Sequence, residues 1–216
     1  MKSNWSQQTK LEWENFLTSG DYDISGTLKF YNGSTIGRNK AAKLINAYWH
    51  KVDRTLFGHA ANKGYGVERW CFTEMGKNGN NLHLHFIAKS PIVVRPCCAI
   101  LNALWTNMNR CTADYHHNWI TPIQFKREAC EYAVKDTRYL GTDTIGERTS
   151  HTNISGIRLD TFDIEAQIKR ILNRVTKIQL EEAYKAMECQ AKKTERRHNE
   201  KQQAKKVKAL SKATFC

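Results

Sequence analysis

No stretch of the sequence approaches the roughly 18–20 consecutive apolar residues of a membrane-spanning helix, so no membrane span is expected. The opening, MKSNWSQQTKLEWENF, has no apolar centre of the kind a secretory signal carries, and secretion is not expected. Cys216 stands last in KATFC rather than fourth from last, so prenylation is not signalled. The seven cysteines (71, 97, 98, 111, 130, 189 and 216) are odd in number and include no Cys-x-x-Cys pair. Reduced thiols in a cytosol-like compartment suit that pattern better than a disulfide framework. A zinc site drawn from Cys97, Cys98, Cys111, His116 and His117 matches no familiar ligand spacing, which favours buried or idle thiols there. Internal repeats are absent. GTDTIGERT, residues 141–149, has the Gly-x4-Gly frame of a phosphate loop, but Glu147 stands where the lysine must be and no apolar strand precedes it. That excludes an ATPase of the phosphate-loop kind.

Acidic residues are also in deficit. Asp and Glu number 21 against 34 Lys and Arg, for a net charge of +13 and a pI near 9.5. The imbalance favours a polyanionic partner, and nucleic acid is the usual one, although a merely soluble basic protein has the same composition. Apolar residues at 40% and aromatics at 10% argue for a packed core, and 216 residues give room for one ordinary domain plus an extension.

The apolar pattern predicts the order of elements. A short helix leads, over NWSQQTKLEWENFL. DISGTLKFYNG then reads as a strand with Ile24, Leu28 and Phe30 on one side and a turn at Asn32-Gly33. From Arg38 to Phe57 the apolar positions recur at helical spacing, and Gly58 ends the run. GVERWCFTEM and NLHLHFIAKS read as strands joined by the turn-rich GKNGNN, a hairpin with a long loop. A helix opens at Pro96 and runs through CCAILNALWTNM. NWITPIQF is a further strand, placed at an edge because Pro122 cannot donate to a ladder. KREACEYAVKDTRYLG reads as a helix with Gly141 just past its end. The order indicates an α+β fold with an antiparallel sheet rather than a parallel βαβ array. Beyond a polar connection, Ile164, Ile168, Ile171, Val175 and Ile178 form a helical stripe fit to dock or to form a homo-oligomer through residues 160–190. From Ala191 onward nine Lys and Arg face two Glu, a tail read as a solvated helix or disordered and suited to phosphate contact.

The chemistry concentrates in FTEMGKNGNNLHLHFIAKS, residues 72–90. On a strand, His83 and His85 project from one face, about 6.6 Å apart at ~3.3 Å per residue, while Leu82, Leu84 and Phe86 cover the other. In the hairpin, Glu74 falls roughly opposite His83, within the ~4.5–5.5 Å of cross-strand neighbours. Two imidazoles and a carboxylate suit a divalent cation. An isolated His-x-His is more often a pair of ordinary histidines; the placed Glu moves the balance toward metal, to about even. In EYAVKD, Tyr132 and Lys135 share a helix face at i, i+3, where a phenol can serve as nucleophile and an ammonium can steady an anion. Alone that pair reads more readily as a partly buried core tyrosine. Tyr139 is a second candidate nucleophile, with helix-end packing as its alternative role.

Taken together these residues resemble the HUH endonucleases. HLHF looks like their His-hydrophobic-His motif, YAVK like their Tyr-x-x-Lys motif, and GTLKF is similar, more loosely, to their first motif. Glu74, nine residues before His83, falls where viral replication initiators of the family carry a metal-binding acid. The tyrosine follows the histidines, as in replication initiators and single-tyrosine transposases and unlike relaxases. The resemblance covers roughly residues 20–145 and implies an endonuclease domain over 1–150, with its His-x-His strand central in the sheet, and a helical basic extension over 151–216. It further implies Mg²⁺ or Mn²⁺ held by Glu74, His83 and His85, attack by Tyr132 on single-stranded or hairpin DNA to leave a 5′-phosphotyrosine, and charge compensation by Lys135. Arg38, Lys40, Lys126, Arg127 and the tail would grip phosphates. The expected role is nicking and joining at a rolling-circle origin. Single-tyrosine transposition is the alternative in the same chemistry, and a non-catalytic nucleic-acid-binding protein the alternative of another class. The 216 residues hold no helicase domain, so an ATP-driven role is not expected. The compartment would be the cytoplasm, or the nucleus for a eukaryotic virus.

Overall fold

Alternating side chains on four short strands set the architecture. The computed structural model describes residues 2–76, 81–136, 145–146, 149–152 and 164–213. Its elements are α1 (Lys2–Ser19), β1 (Ile24–Lys29), α2 (Arg38–Phe57), a 3₁₀ turn (Gly58–Lys63), β2 (Arg69–Glu74), β3 (His83–Ala88), α3 (Val94–Thr106), β4 (Trp119–Pro122), α4 (Lys126–Ala133), α5 (Ile164–Leu172) and α6 (Lys177–Ala213). The strands form one antiparallel sheet in the order β2-β3-β1-β4. The fold is α+β, with the His-x-His strand inside the sheet and Pro122 on its β4 edge.

One face of the sheet carries Leu28, Leu84, Phe86 and Ile120, packed into a large core with Tyr48 and Trp49 of α2 and Leu101 and Trp105 of α3. Burying side chains of this size contributes roughly 1.5–3 kcal/mol each before the entropy of ordering them. The opposite face is smaller. Phe72 and Ile87 meet Leu17 of α1, Tyr22, and Cys130 and Ala133 of α4. His83, His85 and Glu74 lie on this second face, beyond the end of its apolar cluster.

Both sheet edges are covered, which removes open ladders that could pair with another chain. Along β2, the backbone N–H of Arg69 donates to His151 O at 2.8 Å and Gly146 N–H to Cys71 O at 2.8 Å. Along β4, Gln190 of α6 accepts from Ile120 N–H at 3.2 Å, and its amide donates to the carbonyl of Asn118.

Several boundaries differ from the sequence expectation. α3 starts at Val94, two residues before Pro96, which sits within the first turn where its missing N–H costs nothing. α4 stops at Ala133 instead of continuing to 140: Val134 leaves helical geometry (φ −100°, ψ 13°) with its side chain fully buried against the sheet. Tyr139 and residues 137–144 lie outside the described residues. The 164–178 stripe is split between two helices. Thr176 and Gln179 form a reciprocal cap, Gln179 Oε1 accepting from Thr176 N–H at 2.8 Å and Thr176 Oγ1 from Gln179 N–H at 3.3 Å, and this starts a new helix. Ile171 and Val175 join the main core, whereas Ile164, Ile168 and Ile178 are exposed. Of the four tryptophans at 49, 70, 105 and 119, only Trp49 and Trp105 are fully buried; Trp70 and Trp119 are half-buried on the second face.

Gly26 pairs with Phe86 across β1 and β3, and a Cβ there would stand 2.1 Å from ring carbons of Phe86. Gly26→Ala should therefore cost about 1–3 kcal/mol in urea unfolding through overpacking. The second change Phe86→Leu should make Gly26→Ala nearly neutral if the ring is the cause; an unchanged cost in that background would refute this account.

Candidate metal centre and its surroundings

The β2–β3 register places Glu74 directly opposite His83, and Phe72 opposite His85. On the other flank of β3, Lys29 pairs with His83 and Thr27 with His85. One row across the sheet is therefore Glu74–His83–Lys29, and the next is Phe72–His85–Thr27–Trp119. Glu74, His83 and His85 are all buried, and their ligand atoms lie within 4.8 Å of one another. Among the described residues no other group of three His, Cys, Asp or Glu side chains comes together this way.

Nε2 of both rings faces inward, toward Glu74. His83 Nδ1 lies 2.7 Å from the backbone carbonyl of Asn81, which can only accept, so Nδ1 carries the proton in the neutral ring. Its Nε2, then a bare lone pair, points at Glu74 Oε2 at 2.9 Å. His85 Nδ1 meets Thr27 Oγ1 at 2.9 Å, and its Nε2 contacts the same Glu74 oxygen. Each ring thus has an outer partner behind it and an inner nitrogen aimed at one carboxylate, the arrangement that orients metal-ligating histidines. An inward lone pair of neutral His83 facing a carboxylate is favoured by a cation beside the two. This buried Glu-His-His cluster could hold a metal ion, and its donor set fits one that accepts mixed nitrogen and oxygen ligands.

Electrostatics agree with the geometry. Burial pushes the His85 imidazole down to about 4, against a smaller opposing pull from Glu74. Burial alone would raise the Glu74 carboxyl, but its contacts with His83, His85 and Lys135 hold it well below the usual carboxylate range. Lys135 completes the cluster, with Nζ 2.7 Å from Glu74 Oε2. Burial would lower its pKa; the Glu74 carboxylate outweighs this and keeps it raised.

α4 brings the tyrosine in. Its inner surface consists of small residues, Cys130 and Ala133, which let the helix approach Phe72 and Ile87 closely. Tyr132 is 55% exposed, with its ring centroid 4.9 Å from that of His85 and the Lys135 ammonium 4.0 Å from its own. Although the helix ends before Lys135, the turn that follows still returns that side chain to Tyr132.

The remaining expected contacts are more scattered. Arg38 and Lys40 lie exposed in the first turn of α2, Lys40 reaching Cys111 Sγ at 3.6 Å. Lys126 donates to the carbonyl of Gly20, and Arg127 pairs with Glu131 at 3.1 Å. None of these four lines the cavity of about 310 Å³ that opens beside His85 and Tyr132. Cys97 and Cys98 are buried in α3, where burial pushes the Cys97 thiol up to about 12, and His117 pairs with Asp114 at 2.8 Å; no shared ligand site forms among them.

Thr27 and Asn81 were missed by sequence reasoning. Thr27 had a signal: in ISGTLK it alternates with the buried Ile24 and Leu28, so it belonged to the histidine face once β1 was paired beside β3. Asn81 contributes only a backbone carbonyl, which no residue type announces. Compared with known protein families, curated proteins and solved structures, the chain matches none. Among the described residues no helix is long and apolar enough to cross a membrane.

Two outcomes follow. Titration calorimetry with Mn²⁺ should show one site, weakened at least tenfold in Glu74→Gln and 10- to 100-fold in Thr27→Val, which removes the outer partner of His85 without touching a ligand. Wild-type affinity in Thr27→Val would contradict the assigned orientation. Acid should also weaken the metal-free fold. The unfolded imidazole at residue 85 takes up a proton near pH 6.5 while the folded one refuses it until about 4, so stability falls as pH drops through that window. Urea unfolding should show a loss on the order of 2–3 kcal/mol there, and His85→Leu should flatten the slope.

Proposed function

We propose that this chain nicks and rejoins single-stranded DNA through a covalent tyrosine intermediate, as HUH endonucleases do, in the service of rolling-circle initiation. One observation carries the reading: a nucleophile-capable phenol, open to solvent, stands 4.9 Å ring to ring from a histidine of the Glu74–His83–His85 cluster, with the Lys135 ammonium between phenol and carboxylate. Net charge of +13 suits a polyanionic substrate.

The step balances without an external energy source. Tyr132 Oη forms a bond to the scissile phosphorus, the P–O3′ bond breaks, the phenolic proton passes to solvent, and the departing 3′ oxygen takes up a proton. The products are a 5′-phosphotyrosine and a free 3′-OH, and the reverse attack by a 3′-OH reseals a strand. Lys135, kept protonated, offsets negative charge on the pentavalent phosphorus. Glu74, His83 and His85 would hold a divalent cation, Mg²⁺ or Mn²⁺ in this proposal, which would supply Lewis-acid polarisation of the phosphate.

The test is a denaturing gel of the protein incubated with Mn²⁺ and oligonucleotides tiling the source replicon's origin, followed by mass-spectrometric mapping of any adduct. A chelator-sensitive adduct on Tyr132, absent in Tyr132→Phe and reduced at least 100-fold in Lys135→Ala, is expected. Adducts formed only on hairpins from element ends would assign the same chemistry to transposition. Chelator-insensitive binding with no adduct on any substrate would make this a nucleic-acid-binding protein.

A further inference from the structure

Beyond His85 itself, the cavity is built from four elements that hold none of Glu74, His83 and His85: β1, β4, α4 and α6. Its floor is the second face of β1 and β4, including Thr27, Lys29, Trp119 and Thr121. One wall is Phe125, which caps α4, and α4 itself from Glu128 to Tyr132. The other is α6, which contributes Arg197 and Lys201. Thr27 pairs with His85 on one side and Trp119 on the other, so Trp119 lies two strand spacings from His85, roughly 9.5 Å at the backbone. A volume of about 310 Å³ stands at the low end of ligand-sized clefts, enough for one mononucleotide unit and too small for several.

α6 is fixed at this point by named contacts. His198 stacks flat on Phe125, centroids 3.6 Å apart and planes within 4°, and its Nδ1 lies 2.7 Å from Glu128 Oε1. Lys201 reaches the other Glu128 oxygen at 3.4 Å. The acidic residue of the cavity is thus engaged by α6, and the neighbouring Arg197 guanidinium is held over the Trp119 ring, 5.2 Å from its centroid. An indole overlaid by a guanidinium, with Lys29 exposed nearby, combines a stacking surface and positive charge, the two features by which proteins hold unpaired nucleotides.

We propose that this cavity receives the single unpaired nucleotide next to the reacting phosphate, its base stacked against Trp119 and Arg197 and its phosphate met by Lys29, Arg197 and Lys201. The inference rests on the nicking reading for the neighbouring phosphate, but nucleotide binding in the cavity can be measured without any nicking. α6 is then a wall of the substrate groove rather than a passive extension.

The probe is fluorescein-labelled octathymidylate, its binding to the full chain followed by anisotropy in EDTA across a salt series. Trp119→Leu should weaken binding about tenfold with the salt slope unchanged, and Trp119→Phe should stay within threefold of wild type. Arg197→Ala with Lys201→Ala should lower the salt slope by about 1–1.5. Lys192→Ala with Lys193→Ala removes equal charge from α6 outside the cavity and should do less. Wild-type binding in both cavity variants, or an equal loss in the Lys192/Lys193 pair, would overturn the proposal. Should Trp119→Leu fail to fold by circular dichroism, the exposed Arg197/Lys201 pair decides. An adduct on Tyr132 with no Trp119 effect would sink the pocket and leave nicking standing; a Trp119 effect with no adduct would do the reverse.

Discussion

Glu74 Oε2 is the meeting point of three other side chains, and the cost of burying it organises the surrounding residues. Removed from water, a carboxylate is stable only where charged or strongly hydrogen-bonding partners surround it, and removing one partner from such a buried group costs several kcal/mol. Here the partners are His83, His85 and Lys135. Each comes from a different constraint. His83 is fixed by cross-strand pairing, His85 by the two-residue period of a strand, and Lys135 by the turn at the end of α4. A register slip of one residue would turn both histidines into the large core and Leu84 out of it, so the apolar face enforces the polar one.

The same logic runs outward. Thr27 backs His85 because β1 lies beside β3, and it lies there because Gly26 leaves room for the Phe86 ring. Small residues on α4 allow that helix to sit low enough on Phe72 and Ile87 to bring Tyr132 to His85. At the far edge, α6 satisfies β4 through Gln190, and seven residues later presents Arg197 over Trp119. Edge protection and a basic wall beside the cluster therefore come from one helix.

Much of this was readable in the order of residues. The span of α2, the Glu74–His83 pairing and the edge position of Pro122 all follow from periodicity and from what proline cannot donate. The clustering of Glu74, His83 and His85 was readable because the period of a strand and the length of a hairpin fix side-chain positions without knowledge of the rest. What escaped depends on tertiary partners. α4 looked longer because EYAVKDTRYLG continues a helical pattern, yet burial of Val134 ends it. The 164–178 stripe looked like one interface because its spacing survives across Thr176, whose capping box with Gln179 breaks the helix. Trp119 gave no sign of lying beside the cluster, since that depends on β4 pairing with β1, a contact between residues about ninety positions apart.

The central claim is that His83 and His85 face a metal together with Glu74. Electron spin-echo modulation of one equivalent of Mn²⁺ bound to the protein reads ligand nitrogens directly. The account predicts couplings from two imidazole nitrogens, reduced to one in His83→Ala and in His85→Ala. Bound Mn²⁺ showing no nitrogen coupling, or a spectrum that neither substitution alters, would contradict it.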